Sequence, residues 1–348
     1  MAPTHDVVVV GSGINALVAS ALLARDGWSV AVCERNEVAG GAIRTSDDVF
    51  PGYTVELLSS WHPLFLGGPA YAELADDLAA RGVTYLNTEL PTGVLCADGS
   101  AVLSTDDSRT LAELKGLGDD AHWQSVMADF GGKADLAFGL LGADFWRPKA
   151  LRFGLTATRR LGRRGLVASG AELLEPAVPW LERNFSSPVT RSLLAPWALH
   201  NGLGPDDAGS AFITKVIAAA LTMGGMPVPK GGGRRLVEAL TGIVTDHGGV
   251  VSTGAEVERI EVKNGRAVGV RLAGGAFLGA RHAVLASVTP HALYERLLPA
   301  QAVPEARRRA ARAFRHGRAA MQIHLALAEP PQWTDPRLGR VALVHVLD

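Results

Sequence analysis

The feature that most constrains this chain lies in its first 34 residues. Residues 6–10 read DVVVV, an all-apolar run that stops at Gly11. Such a run predicts a strand buried on both faces of a parallel sheet. Ile14, Leu17, Val18, Ala21 and Leu22 then recur at helical spacing, and Gly27 follows. This predicts a helix over 14–26 closed by glycine. Residues 29–33, SVAVC, return as a second strand, completing a β-α-β unit. The turn between first strand and helix is Gly11-Ser12-Gly13-Ile14-Asn15-Ala16, a G-x-G-x-x-A pattern. Gly11 permits the tight turn, Gly13 lets backbone approach a pyrophosphate, and Ala16 keeps helix and strand close. The helix N-terminus offers N–H groups and partial positive charge to phosphates. Glu34 ends the second strand. A carboxylate there can accept from both ribose hydroxyls and repels a 2′-phosphate, so a dinucleotide other than NADP is expected.

Composition narrows the remainder. With 348 residues, two domains are expected. Lys+Arg 34 against Asp+Glu 35 excludes a globally basic nucleic-acid binder. Two cysteines, Cys33 and Cys96, are too few for a disulfide framework or a four-cysteine zinc site. Cys33, inside a predicted strand, reads as a small core residue. The ten histidines show no metal-ligand spacing, and no metal is expected. A G-x-S-x-G elbow is absent. Lys230 precedes three glycines but lacks the order of a P-loop. No apolar run is long enough to span a bilayer, and the N-terminus has no basic region of a secretory signal, so a cytoplasmic location is expected.

Along the rest of the chain, helices are predicted over 70–81, 107–115 and 234–247, and most of 120–222 has helical pattern broken by prolines. Residues 250–286 read as strands. Asn264–Gly265 between VERIEV and RAVGVRL is a two-residue hairpin signal. HAVLA (282–286) reads as a short buried strand, and MQIHLAL (321–327) alternates like a half-buried one. The final GRVALVHVLD is a strand pattern still running at the last residue, which predicts a fragment or an early-ending frame.

Directly after Glu34 comes Arg35-Asn36-Glu37-Val38-Ala39-Gly40-Gly41-Ala42-Ile43-Arg44-Thr45. Two adjacent glycines let a second backbone segment pass over the pyrophosphate, an extension that a one-domain NAD dehydrogenase does not need. Here the sequence resembles the two-dinucleotide-binding flavoprotein superfamily. Pro51-Gly52-Tyr53, Leu57-Leu58-Ser59-Ser60, Pro229-Lys230-Gly231-Gly232-Gly233, Gly254–Ile260 and Ala286-Ser287-Val288-Thr289-Pro290 narrow the resemblance to phytoene dehydrogenase-like proteins. That resemblance implies an α/β fold: a Rossmann-like FAD/NAD(P)-binding domain and a discontinuous α+β substrate domain. The FAD-binding domain would comprise 1–60 and 224–290. Residues 61–223 and 291–348 would form the substrate domain, mostly helical plus a sheet.

The resemblance implies FAD as cofactor. Its contacts would come from Gly11, Ser12, Gly13, Ile14, Asn15, Ala16, Glu34, Arg35, Gly40, Gly41, Arg44, Val257 and Ala286. The implied activity removes hydride from a hydrophobic small molecule. A flavin amine oxidase is the alternative within the class, disfavoured by only 6% aromatic residues where an aromatic cage is needed. A non-catalytic or partner-dependent relative is the second class. The family's C-terminal Gly-rich motif over the flavin ring is not matched, so residues 1–348 alone are expected to bind FAD weakly or not at all. No catalytic residue stands out. Trp61, His62 and His200 are polar or aromatic residues in segments expected near a pocket, and each reads more readily as structural.

Residues 147–164 carry seven basic side chains and no acid, interleaved with apolar ones and preceded by Trp146. This segment reads as a solvated helical face or as a peripheral contact with anionic lipid.

Overall fold

The computed structural model describes residues 3–142, 144 and 148–347. Two compact units emerge. One runs to Leu86 and takes up Pro227–Arg315 and Gln322–Ala326. The other comprises Asn87–Met226, His316–Met321 and the chain from Leu327 on. Segments 61–86 and 291–315 thus pack with the first unit.

The first unit is built on a six-stranded mixed sheet. Strand β1 (Thr4–Val10) is followed by helix α1 (Ile14–Arg25) and strand β2 (Val30–Cys33). β1 lies parallel between β2 and Phe277–Ala286, and Val250–Ser252 adds a parallel edge beyond β2. Val257–Lys263, Arg266–Leu272 and Phe277–Ala286 form an antiparallel meander on the other side. Its first hairpin turns at Asn264 (φ 51°) and Gly265 (φ 75°), the two left-handed residues of a type I′ turn. The β1 valines are buried on both faces, which explains an all-apolar run in place of alternation. On one side α1 packs against Arg234–Asp246 through Leu17, Ala21, Leu236 and Leu240. On the other, Val8 and Val10 join Val257, Ile260 and Val270.

The second unit is mainly helical. Asp120–Leu141, Pro148–Leu173, Ala177–Asn184, Pro188–Leu194 and Ser210–Gly224 are α-helices, and Pro148 and Pro188 each stand at the first helical position, where the missing N–H costs nothing. Trp180, Trp197 and Phe185 fill its core. A three-stranded sheet completes it: Leu343–Val346 parallel to Thr92–Cys96, which pairs antiparallel with Gly99–Leu103.

Two strand expectations are corrected. Residues 282–286 do end a strand, but they are half-exposed or exposed, not buried. They pair with β1, and Val284, Leu285 and Ala286 pack only partly buried against the clusters on its two faces. Residues 321–327 form no strand, and Met321, Ile323, Leu325 and Leu327 are all exposed. Alternation encodes which face would be buried; it does not supply a neighbouring strand, and none among the described residues pairs here.

Candidate functional site

The carboxyl ends of the parallel strands bring the glycine turn together with Glu34, the double glycine and Ala286. Ala286 pairs with Val10, and the Ser287 amide donates to the Val10 carbonyl at 2.9 Å. Gly11 turns with φ +90°, and a Cβ there would lie 3.0 Å from the Ser287 carbonyl oxygen. Gly13 caps α1 with extended backbone, without a side-chain cap and without an acid in the first turn. That helix end is therefore left open for an anion. Ser12 and Ala16 are buried, Gly13 and Ile14 half-buried, and Asn15 exposed.

The double glycine lies directly on this turn. The Gly40 amide donates to the Ser12 carbonyl at 3.1 Å and to its Oγ at 3.2 Å. Gly40 has φ +114°, and a Cβ would come within 2.5 Å of the Ile43 carbonyl oxygen and 2.8 Å of Val237 Cγ2. Gly41, with φ +61°, would push a Cβ to 3.0 Å from Gly13 Cα. The backbone of this loop and of the G-x-G turn can approach this closely only because both lack side chains.

Glu34 is 5% exposed. Its Oε2 accepts from the Ser12 amide (2.9 Å) and hydroxyl (2.7 Å); its Oε1 accepts from the Asn36 amide (2.9 Å) and Nδ2 (2.7 Å). Burial raises the carboxyl pKa, but the donors from Asn36 and Ser12 outweigh it and hold the group below its ordinary value. Val257 is buried and begins its strand just after Ala255, whose amide donates to the Glu34 carbonyl at 2.7 Å. Arg35 is exposed and Arg44 half-buried.

The Gly231–Gly233 loop is held by this chain's own side chains. Glu56 Oε1 accepts from Thr45 Oγ1 and from the Gly233 amide, both at 2.7 Å. A Cβ at Gly232 would strike Thr45 Cγ2 at 2.5 Å, and one at Gly233 would strike Ile43 Cγ2 at the same distance. Glu56 Oε2 is buried without a hydrogen-bond partner. Burial pushes the nearby His62 down, partly offset by the Glu56 charge. Sequence reasoning does not reach Glu56, Thr45 or Asn36 as site residues. No spacing rule marks them: Glu56 and Thr45 find partners up to 189 residues away, and Asn36 is recruited by a local turn back onto Glu34.

His200 belongs to the second unit. Its Nε2 lies 3.3 Å from His345 Nε2, and both rings pack on Trp197. Burial, reinforced by His200, pushes the His345 pKa down to about 4. The folded chain therefore resists protonation that the unfolded chain accepts near 6.5. Stability is complete above pH ~6.5 and is lost as pH falls toward ~4. The urea midpoint of His345→Gln is expected to fall less over that window than that of the parent. Burial pushes the Cys33 thiol up to about 11, which makes it inert core. Among the described residues, no group of three or more His, Cys, Asp or Glu could hold a metal.

A family model described as "flavin containing amine oxidoreductase" matches residues 17–345. The chain belongs to this family. Its cofactor is FAD, and the uncapped α1 end, the Glu34 carboxylate and the Cβ-excluding glycines fit the adenosine and pyrophosphate of that group. The chain is 31% identical over 329 residues to a hydroxyneurosporene desaturase of Cereibacter sphaeroides, covering 86% of this chain and 60% of that protein. It is 27% identical over 273 residues to a limonene dehydrogenase subunit of Castellaniella defragrans, covering 77% and 48%. The chain thus spans about half the length of the curated relatives it matches. Among solved structures, putrescine oxidase bound to putrescine shares the fold, with a TM-score of 0.58 at 18% identity over 90% of this chain and 64% of that one. The resemblance to phytoene dehydrogenase-like flavoproteins and the α/β, Rossmann-like fold both hold.

Proposed function

We propose that this family member is an FAD-dependent oxidoreductase that takes hydride from a hydrophobic substrate, with phytoene dehydrogenase-like chemistry. The observation that carries the reading is the Glu34–Ser12–Gly40 network, which binds the second-strand acid, the G-x-G turn and the double glycine into one cradle. Pyrophosphate would lie on Gly11–Ala16 and beneath Gly40 and Gly41, with Arg44 and Arg35 as nearby cations. The adenosine would lie by Val257 and Ala286. All four acceptor positions of Glu34 are occupied by protein donors. A ribose diol would displace the Asn36 amide side chain, since Asn36 is exposed while Ser12 is buried. Bound FAD supplies the hydride acceptor; the chain's residues orient the dinucleotide and keep Glu34 ionised.

The desaturase-named relatives and the limonene dehydrogenase relative support a hydrophobic substrate. Anaerobic incubation of FAD-loaded protein with a polyene is expected to bleach the flavin absorbance. Bleaching by alkyl amines but not by polyenes would favour the amine oxidase reading, which the putrescine and cyclohexylamine oxidase folds keep in view.

The basic segment supports delivery of such a substrate from a membrane surface. It lies on the helix Pro148–Leu173, while Trp146 and Arg147 lie outside the described residues. Leu151 is 73% exposed and Leu155 52%. Arg160 is committed to Asp135 at 2.6 Å, so it is a poor lipid contact. Replacing Arg159, Arg163 and Arg164 by Glu is expected to weaken binding to phosphatidylserine vesicles, read by co-sedimentation, on the order of a hundredfold, at about 1 kcal/mol per basic residue. Among the described residues, no helix is long and apolar enough to cross a membrane.

A further inference from the structure

The second unit contains a cavity of about 180 Å³ that the nucleotide cradle does not use. Three helices wall it: Asp120–Leu141, Pro148–Leu173 and Ser210–Gly224. Phe130, Ala137, Phe153, Ala157, Leu161 and Phe212 make its apolar lining. A dry apolar cavity of about 150 Å³ is known to take benzene, so this volume suits one six-membered ring or a short branched chain.

One end of the cavity is polar, and its ions are unevenly satisfied. Lys133 Nζ reaches Asp129 at 3.0 Å and Glu172 at 2.9 Å. That group carries a net charge of −1. Lys215 also lines the cavity. It is half-buried, and its Nζ stands 5.4 Å from the Trp180 ring centroid. Among the described residues no hydrogen bond or ion pair uses its ammonium, so beyond its contact with the Trp180 ring it keeps N–H donors to offer a ligand. Burial pushes its pKa down, against the more distant pull of Glu172, Glu175 and Asp129. An anionic head at Lys215 would face two carboxylates, and a cationic head would face Lys215 itself. A neutral acceptor, a carbonyl or hydroxyl oxygen, satisfies the ammonium without either repulsion.

We propose that this cavity binds a small neutral cyclic ketone or alcohol, its ring among Phe130, Phe153 and Phe212 and its oxygen accepting from Lys215. The site requires neither FAD nor the activity proposed above, because every residue in it belongs to the second unit.

Saturation-transfer NMR on the full chain tests this with cyclohexanone, methylcyclohexane and cyclohexanecarboxylate as probes. Cyclohexanone is expected to bind most tightly, and the carboxylate not at all. Lys215→Met should weaken cyclohexanone about tenfold, as expected for a hydrogen bond from a charged donor, and leave methylcyclohexane unchanged. Gly170 lines the cavity, and a Cβ there would meet nothing within 4 Å, so Gly170→Leu should fold and its side chain should take up cavity space. That variant is expected to lose both the ketone and the hydrocarbon. Equal binding of carboxylate and ketone, ketone binding indifferent to Lys215→Met, or probe binding that survives Gly170→Leu would each overturn the proposal.

Discussion

Replacing Gly40 by alanine is expected to abolish dinucleotide binding and lower the stability of the first unit by on the order of 3 kcal/mol. Two separate costs contribute. A left-handed φ of +114° strains any residue with a Cβ, and the new methyl would meet the Ile43 carbonyl oxygen at 2.5 Å and Val237 at 2.8 Å. Each cost is typically about 1–3 kcal/mol. Relief by moving the loop would pull the Gly40 amide from Ser12 and open the cradle. Gly27→Ala is the control. Gly27 also has positive φ, at +86°, but a Cβ there meets nothing within 4 Å. It should lose the strain term alone and keep nucleotide affinity. Urea denaturation and calorimetric titration with ADP on both variants separate the two. A Gly40→Ala protein that binds ADP like its parent would show that the double glycine is not part of the cradle.

Replacing Glu34 by glutamine is the second large expected effect. The variant keeps the shape of the side chain but removes the charge and turns one acceptor oxygen into a donor. Facing it are two donors from Ser12 or two from Asn36, all within 2.9 Å of the native carboxylate. Hydrogen bonds to a charged group contribute about 1.5–3 kcal/mol each, and an opposed buried donor costs a similar amount. Affinity for the adenosine half should fall by roughly 10- to 100-fold. The pH dependence follows from the depressed carboxyl pKa. The contribution of Glu34 is complete above the ordinary carboxyl value of 4.5 and is lost as pH falls below it. The Glu34→Gln protein should lack that part of the acid sensitivity.

The β1–α1–β2 unit is legible in sequence because its signals are local. An apolar run, a helical period and glycines at fixed offsets all lie within 34 residues. The Asn264–Gly265 hairpin is legible for the same reason, since two left-handed residues specify one turn. What escapes is non-local. Glu56 holds the Gly233 amide across 177 positions, and Thr45 accepts from the Arg234 amide across 189; Asn36 is the local exception, missed because no spacing rule marks the turn that brings its amide and side chain back on Glu34. The cavity around Lys215 arises from three helices whose mutual packing no periodicity encodes. MQIHLAL fails in the opposite sense: its alternation is present, but a strand also needs a neighbour.

The central claim is that this chain holds the adenosine and pyrophosphate half of FAD through Glu34, the G-x-G turn and the double glycine. Titrating residues 1–348 by calorimetry with ADP, FAD and FMN tests it most directly, because FMN carries the flavin without the adenosine. ADP should bind, FAD should compete with it no more tightly than ADP itself because only the ADP half is cradled, FMN should not displace ADP, and Glu34→Gln should weaken ADP and FAD alike. Binding of FMN in competition with ADP, or ADP binding unaffected by Glu34→Gln, would contradict the account.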